Sequence, residues 1–194
     1  SYSPGSATLT FDEISVRSAV GTILADGRAI LREASDGWPR SMTGQFRVSR
    51  FEADPEGFLD RPLALDGAEV DWQLDFEPFR FELGRLRVSD PSLPLRLSGM
   101  LAADPEGWRL AVDGQLARID KDGLLAYWPE RIAPKQRKWV VDNIHAGEIR
   151  DGILSLRLAP GGTLEPYIDA RVQDVSLTYA RHLPRLAAVD GQMT

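Results

Sequence analysis

A chain of 194 residues that is 27% charged and 43% hydrophobic has enough apolar material for a core and is not a disordered segment. Its net charge of -6 argues against nucleic acid or anionic lipid headgroups as the main partner, because both need clustered Lys and Arg. With no cysteine, disulfides and thiolate chemistry are excluded.

No run is apolar for long enough to cross a bilayer. The chain opens at Ser1 without an initiator Met and closes at Thr194 in what reads as mid-strand. This is the pattern expected of a piece excised from a longer protein, whose anchor or export signal would lie elsewhere.

After a polar lead, Leu9 and Phe11 alternate with Thr10 and Asp12, and the apolar phase then shifts to Ile14 and Val16. A shift of this kind is expected from a β-bulge around Asp12 and Glu13. Ala29 to Glu33 is ambiguous, and Phe46 and Val48 head another strand. The clearest alternation is Val70, Trp72, Leu74, Phe76, interleaved with Asp71, Gln73 and Asp75. Period two with this contrast predicts a strand with one apolar and one wet face. Phe79, Phe81 and Leu83 repeat it, then Leu93, Leu95 and Leu97, then Trp108, Leu110 and Val112. Pro94 lacks a ladder donor, so its strand is expected at an edge or bulged.

Ala53 to Phe58 reads ADPEGF, and Ala103 to Trp108 reads ADPEGW. Both predict a hairpin turn. Asp-Gly recurs at Asp26, Asp36, Asp66, Asp113, Asp122, Asp151 and Asp190 and predicts turns or bulges.

One amphipathic helix is predicted at about 134–145. Pro134 suits its first turn, and Gly147 is placed as its C-terminal cap. Ile132, Trp139, Val140, Asn143 and Ile144 fall on one side as the docking face, leaving the basic cluster Lys135 to Lys138 to solvent. Strands resume at Ile149 to Leu158, Ile168 to Leu177 and Leu186 to Met193. The expected organisation is strands over 1–120 with repeated ADPEG turns, a helical insertion over 121–147, and further strands of the same sheet over 148–194. The expected fold is mainly β: a long, antiparallel, curved or groove-like sheet with one inserted helix.

Nothing in the chain marks catalysis, and no cofactor or metal is expected. His145 is read as a cation near a helix C-terminus and His182 as a loop residue without acidic neighbours at metal spacing. No phosphate loop, dinucleotide fingerprint, zincin or nucleophile-elbow motif is present. Of the five tryptophans, Trp128 and Trp139 read as packing anchors. Trp72 and Trp108, on apolar strand faces, would serve a carbohydrate-binding module if saccharides stacked on them.

Tyr127-Trp128-Pro129, Trp139, Gly147, Tyr179, Pro184, Leu186, Val189 and Gly191 together resemble the AsmA-like family, and most of all its YhdP-type members. The signature covers roughly the C-terminal third. Arg181-His182-Leu183-Pro184 stands where the family has Gly-Trp-Pro before its second element. The resemblance implies a segment of a periplasmic protein anchored in the inner membrane of a Gram-negative bacterium. It also implies phospholipid transport between inner and outer membranes along repeating β-grooves. The partners would be phospholipid acyl chains and other envelope proteins, with membrane contact through other parts of the parent. Val70, Trp72, Leu74, Phe76, Phe79, Phe81, Leu95, Leu97, Trp108, Leu110 and Val112 would then face the groove. The alternative is a non-catalytic structural or scaffolding β domain with a filled core.

Overall fold

The computed structural model describes residues 1–33, 38–53, 62–130, 133–180 and 182–194. Its strands are β1 (Tyr2–Ser3), β2 (Thr8–Ser18), β3 (Gly21–Arg32), β4 (Ser41–Ala53), β5 (Leu63–Leu65) and β6 (Ala68–Asp75). Then come β7 (Arg80–Val88), β8 (Leu95–Asp104) and β9 (Gly107–Asp120). Two helices follow, α1 (Lys121–Tyr127) and α2 (Pro134–Asn143), before β10 (Ile144–Leu158), β11 (Glu165–Leu177) and β12 (Leu186–Met193).

All twelve strands form one antiparallel sheet, which is curled but not closed. Strands neighbour one another in chain order from β1 to β12, except that β5 sits on β4 and β6 takes the next place in the path. The expected bulge in β2 is present: register shifts between Phe11 and Ile14. The second ADPEG is a tight turn, with Asp104 paired to Gly107 and the Arg109 guanidinium 2.9 Å from the Asp104 carboxylate. The first falls at 53–58 and lies, but for Ala53, outside the described residues, as does Asp36.

Several expectations are corrected. Pro94 does not mark an edge: β8 starts one residue later and runs between β7 and β9. The Pro94 carbonyl accepts a hydrogen bond from Ala117 N–H at 3.1 Å, so the imide costs the sheet only a donor outside the strand. The helical region holds two helices, the first capped at its N-terminus by the Asp120 carboxylate accepting from Gly123 N–H at 2.7 Å. Gly147 caps nothing. The second helix ends at Asn143, β10 begins at Ile144, and Gly147 lies within it at φ +136° against Val175. A Cβ there would come within 2.9 Å of Val175 Cα, so the glycine serves close strand approach.

Two of the Asp-Gly pairs are as expected: Asp66-Gly67 connects β5 to β6, with Gly67 at φ +107°, and Asp151-Gly152 sits in a bulge of β10, with Asp151 at φ +52° where the register with β11 shifts. Asp26-Gly27, Asp113-Gly114 and Asp190-Gly191 instead lie inside strands. Successive strand residues point to opposite faces, so each pair sets a carboxylate on one face and a bare Cα on the other. Asp113 meets Arg157 at 2.6 Å, and Asp151 meets Arg171 at 3.4 Å.

Candidate functional site

One row of paired residues crosses nine strands without a break. Phe11 pairs with Gly27, Gly27 with Phe46, and Phe46 with Val70. Val70 pairs with Leu86, Leu86 with Leu97, and Leu97 with Gly114. Gly114 pairs with Leu154, and Leu154 with Ile168. Directly opposed residues in a ladder share a face, so every member of this row points the same way. All are apolar or glycine.

Aromatic rings floor one part of that face. Phe46 and Trp72 stack with centroids 6.1 Å apart, and Trp72 and Phe81 at 6.3 Å. Phe11 and Phe46 flank β3, and strands two apart are separated by about 9–10 Å. Their ring centroids nevertheless lie only 5.7 Å apart, because both lean over Gly27. Trp72 lies over Gly44 in the same way. On β9 and β10 the inward phase moves from Leu116 to Ile119 and from Gly152 to Ile149 with the register unbroken. A Cβ on Gly152 would touch both Leu116 and Ile149, so the two strands step together and the apolar face continues.

The strand residues expected at the site all lie on this face: Val70, Trp72 and Leu74 on β6, Phe81 on β7, Leu95 and Leu97 on β8, and Trp108, Leu110 and Val112 on β9. Phe79 immediately precedes β7 and meets Trp108 edge-on at 5.7 Å. Phe76 lies in the turn after β6 rather than in a strand, and is 40% exposed. None of these residues is buried, and Trp108 is 52% exposed.

The face has no second layer among the described residues. Among the described residues no large side chain is fully buried; the buried apolar set is Ala25, Ala29, Ala68, Ala170, Val88 and Val175, with Leu93 and Ile119 its only larger members. Among the described residues, the substantial packing outside the sheet's own strand pairs is that of the helices against β9 and β10. The opposite face is wet. It carries ion pairs such as Arg85 with Asp71 at 2.8 Å, and a shallow depression of about 400 Å³ around Arg28, Gln45, Asp71 and Glu82.

Asp113, on that wet face, is held below the usual carboxylate range by the Arg157 guanidinium and then the Ser155 hydroxyl, which donates at 2.7 Å. Asp90 is lowered by its hydrogen bonds from Ser92, whose N–H donates at 2.8 Å. His145 lies in β10, with Nε2 2.8 Å from Thr178 Oγ1. Among the described residues no group of three or more His, Asp or Glu converges as a metal site.

The helix-docking set fares differently. Ile132 lies outside the described residues. Trp139 stands 46% exposed rather than docked, while Val140 and Ile144 are half-buried. The anchor is Arg137, which the helical spacing had assigned to solvent. Its side chain is 12% exposed, and its guanidinium donates to the carbonyls of Trp128 at 2.9 Å and Leu125 at 3.5 Å. These are carbonyls at the C-terminal end of α1, where a cation is favoured by the helix dipole.

Sequence reading missed Phe11, Phe46, Leu86, Leu154 and Ile168 as members of the site, and the inward glycines with them. Asp-Gly inside an alternating strand marks the inward glycines Gly27 and Gly114, whereas the five side chains are grouped only by pairing across the chain. Compared with protein-family models, curated proteins and solved structures, the chain matches none.

Proposed function

We propose that this chain is a segment of a periplasmic AsmA-like protein that carries phospholipid between membranes, with acyl chains lying on the apolar face. The observation that carries the reading is the unbroken apolar row from Phe11 to Ile168 on a face without a second layer among the described residues. Keeping an acyl chain out of water is worth about 0.8 kcal/mol per methylene. An aliphatic and aromatic floor supplies that without a polar group that would hold the headgroup in one place. Sliding needs contact of this kind, weak at each atom and continuous along the path. That no covering layer lies on the face among the described residues favours this reading over a scaffold with a filled core.

The test is photocrosslinking in cells, with the probe at Trp72 or at Gln73. These neighbours face opposite sides of β6, and Gln73 bonds Asp75 on the wet side at 3.0 Å. Phospholipid captured at position 72 and not at 73 is the expected result. Capture at neither position, in a folded and functional protein, would overturn the reading.

A further inference from the structure

We propose that one rim of the sheet docks on the headgroup region of a bilayer rich in phosphatidylethanolamine. The rim is made by the four turns that join β3 to β4, β6 to β7, β8 to β9 and β10 to β11. Strand register puts all four at the same end of the strands. Arg32 pairs with Ser41, Ser41 with Asp75, Asp75 with Arg80 and Arg80 with Ala102. Asp104 pairs with Gly107, Leu110 with Leu158 and Arg157 with Glu165.

The turns are tied sideways into one ridge. Phe76 N–H donates to the Arg40 carbonyl at 3.0 Å, and Ala103 N–H to the Phe79 carbonyl at 3.0 Å. The Phe79 ring meets Trp108 edge-on at 5.7 Å. A Cβ on Gly107 would lie 3.5 Å from the Gly161 nitrogen, so the third turn rests against the fourth. Each turn also holds a proline, at Pro39, Pro78, Pro105 and Pro160, whose ring fixes φ. A ridge already ordered in this way loses little conformational entropy on docking.

Apolar tips alternate with carboxylates along the rim. Trp38 is 80% exposed and Leu164 53%, beside the half-exposed Trp108 and Phe76. Indole rings at turn tips suit a bilayer interface, where one end meets hydrocarbon and the other water. Glu77, Glu106 and Glu165 are exposed and have no ion-pair partner among the described residues. Two of the rim's cations are already engaged, Arg80 with Glu82 at 3.3 Å and Arg109 with Asp104 at 2.9 Å, leaving Arg40 against three carboxylates.

This charge selects the surface. The outermost group of phosphatidylethanolamine is an ammonium, which carboxylates attract and indole faces accept by cation–π contact. Anionic headgroups would be repelled. The opposite end of the sheet has the reverse character, since the exposed Trp139 shares α2 with Lys135 and Lys138. Docking at the rim rests on the lipid-carrying reading for its purpose: Trp108 belongs to both the rim and the apolar face, so a docked rim sets that face beside the bilayer.

The test is flotation of the chain with vesicles of phosphatidylethanolamine and phosphatidylcholine. The unmodified chain floats, and Trp38→Ala with Leu164→Ala lowers its partitioning by about tenfold, as expected for one large apolar side chain withheld from the interface. Trp139→Ala leaves partitioning unchanged. Replacing part of the phosphatidylcholine by phosphatidylglycerol weakens flotation, and Glu77→Lys with Glu106→Lys removes that penalty. Leu154→Asp, in the middle of the apolar face, still floats. Circular dichroism identifies the folded variants to be scored. A folded chain that does not float overturns the proposal and leaves the rim to a protein partner. So does flotation strengthened by phosphatidylglycerol and lost in Trp139→Ala, which would mean docking by the basic helix, or flotation lost in Leu154→Asp alone, which would mean contact through the face. Flotation through the rim without phospholipid capture at position 72 supports the docking and counts against the lipid-carrying reading alone.

Discussion

Gly44 lies directly beneath the indole of Trp72: a Cβ built on it would sit 2.5 Å from Cζ2 and 2.6 Å from Nε1 of the ring. The aromatic floor therefore depends on a missing side chain one strand away. Gly44→Ala should destabilise the sheet by about 1–3 kcal/mol, the usual cost of overpacking. Substituting Trp72→Leu in the same chain should recover part of that loss, since the clash is with the ring. A urea double-mutant cycle gives the coupling; strict additivity of the two changes would refute the contact.

The two helices meet at Arg137. Its guanidinium satisfies carbonyls at the end of α1, while the Glu130 carboxylate lies 3.6 Å away. Removing it leaves those acceptors short of a donor in a half-buried place, so Arg137→Ala should cost about 1–3 kcal/mol. Arg137→Lys should recover less than half, because one ammonium cannot reproduce the fork. Trp139→Ala, at a residue 46% exposed, should cost less than about 1 kcal/mol. Thermal or urea melts of the three variants decide it; a Trp139 loss larger than the Arg137 loss would restore the docking helix read from spacing.

The strands were legible because alternation of apolar and polar residues is a local property. Val70 to Asp75 and Trp108 to Asp113 could be placed on a two-faced sheet from sequence, and the bulge after Phe11 from its phase shift. The partners of those strands were not legible, since register is set by pairing across the chain. That is why Phe11, Phe46, Leu154 and Ile168 emerge as one row only in three dimensions. Asp-Gly was a sound signal for the connection at Asp66 and the bulge at Asp151, but glycine equally permits a neighbouring side chain to lie over a strand, as Phe46 does at Gly27 and Leu97 and Leu154 do at Gly114. Arg137 misled because helical spacing tells which residues share a side, not which side is covered.

An apolar face without a covering layer should be measurable in the folded chain. At native pH the protein should bind a hydrophobic dye such as ANS while keeping a cooperative unfolding transition and its near-ultraviolet dichroism. The combination separates it from a molten state, which binds dye after losing tertiary signal. Leu97→Asp or Leu154→Asp should reduce dye binding, as each puts a charge in the middle of the row. Dye binding no greater than that of a compact monomer would mean that the face is covered in solution.

Stability should also respond to acid through Asp113. Its carboxylate takes the Arg157 guanidinium at 2.6 Å and the Ser155 hydroxyl at 2.7 Å, so the folded state holds it below the ordinary aspartate value of about 3.9. In that window the unfolded chain binds the proton more readily than the folded one, and stability falls as pH falls. The contribution is complete above about pH 4 and is lost as pH drops through the folded value. With the side chain 54% exposed, screening keeps it below about 1 kcal/mol. Asp113→Asn should therefore lower stability slightly at neutral pH and flatten the acid limb, and Arg157→Gln should return the Asp113 titration toward 3.9. Carboxyl NMR titration reads the second effect directly; an unchanged Asp113 curve in the Arg157 variant would show that the ion pair does not hold the carboxylate in solution.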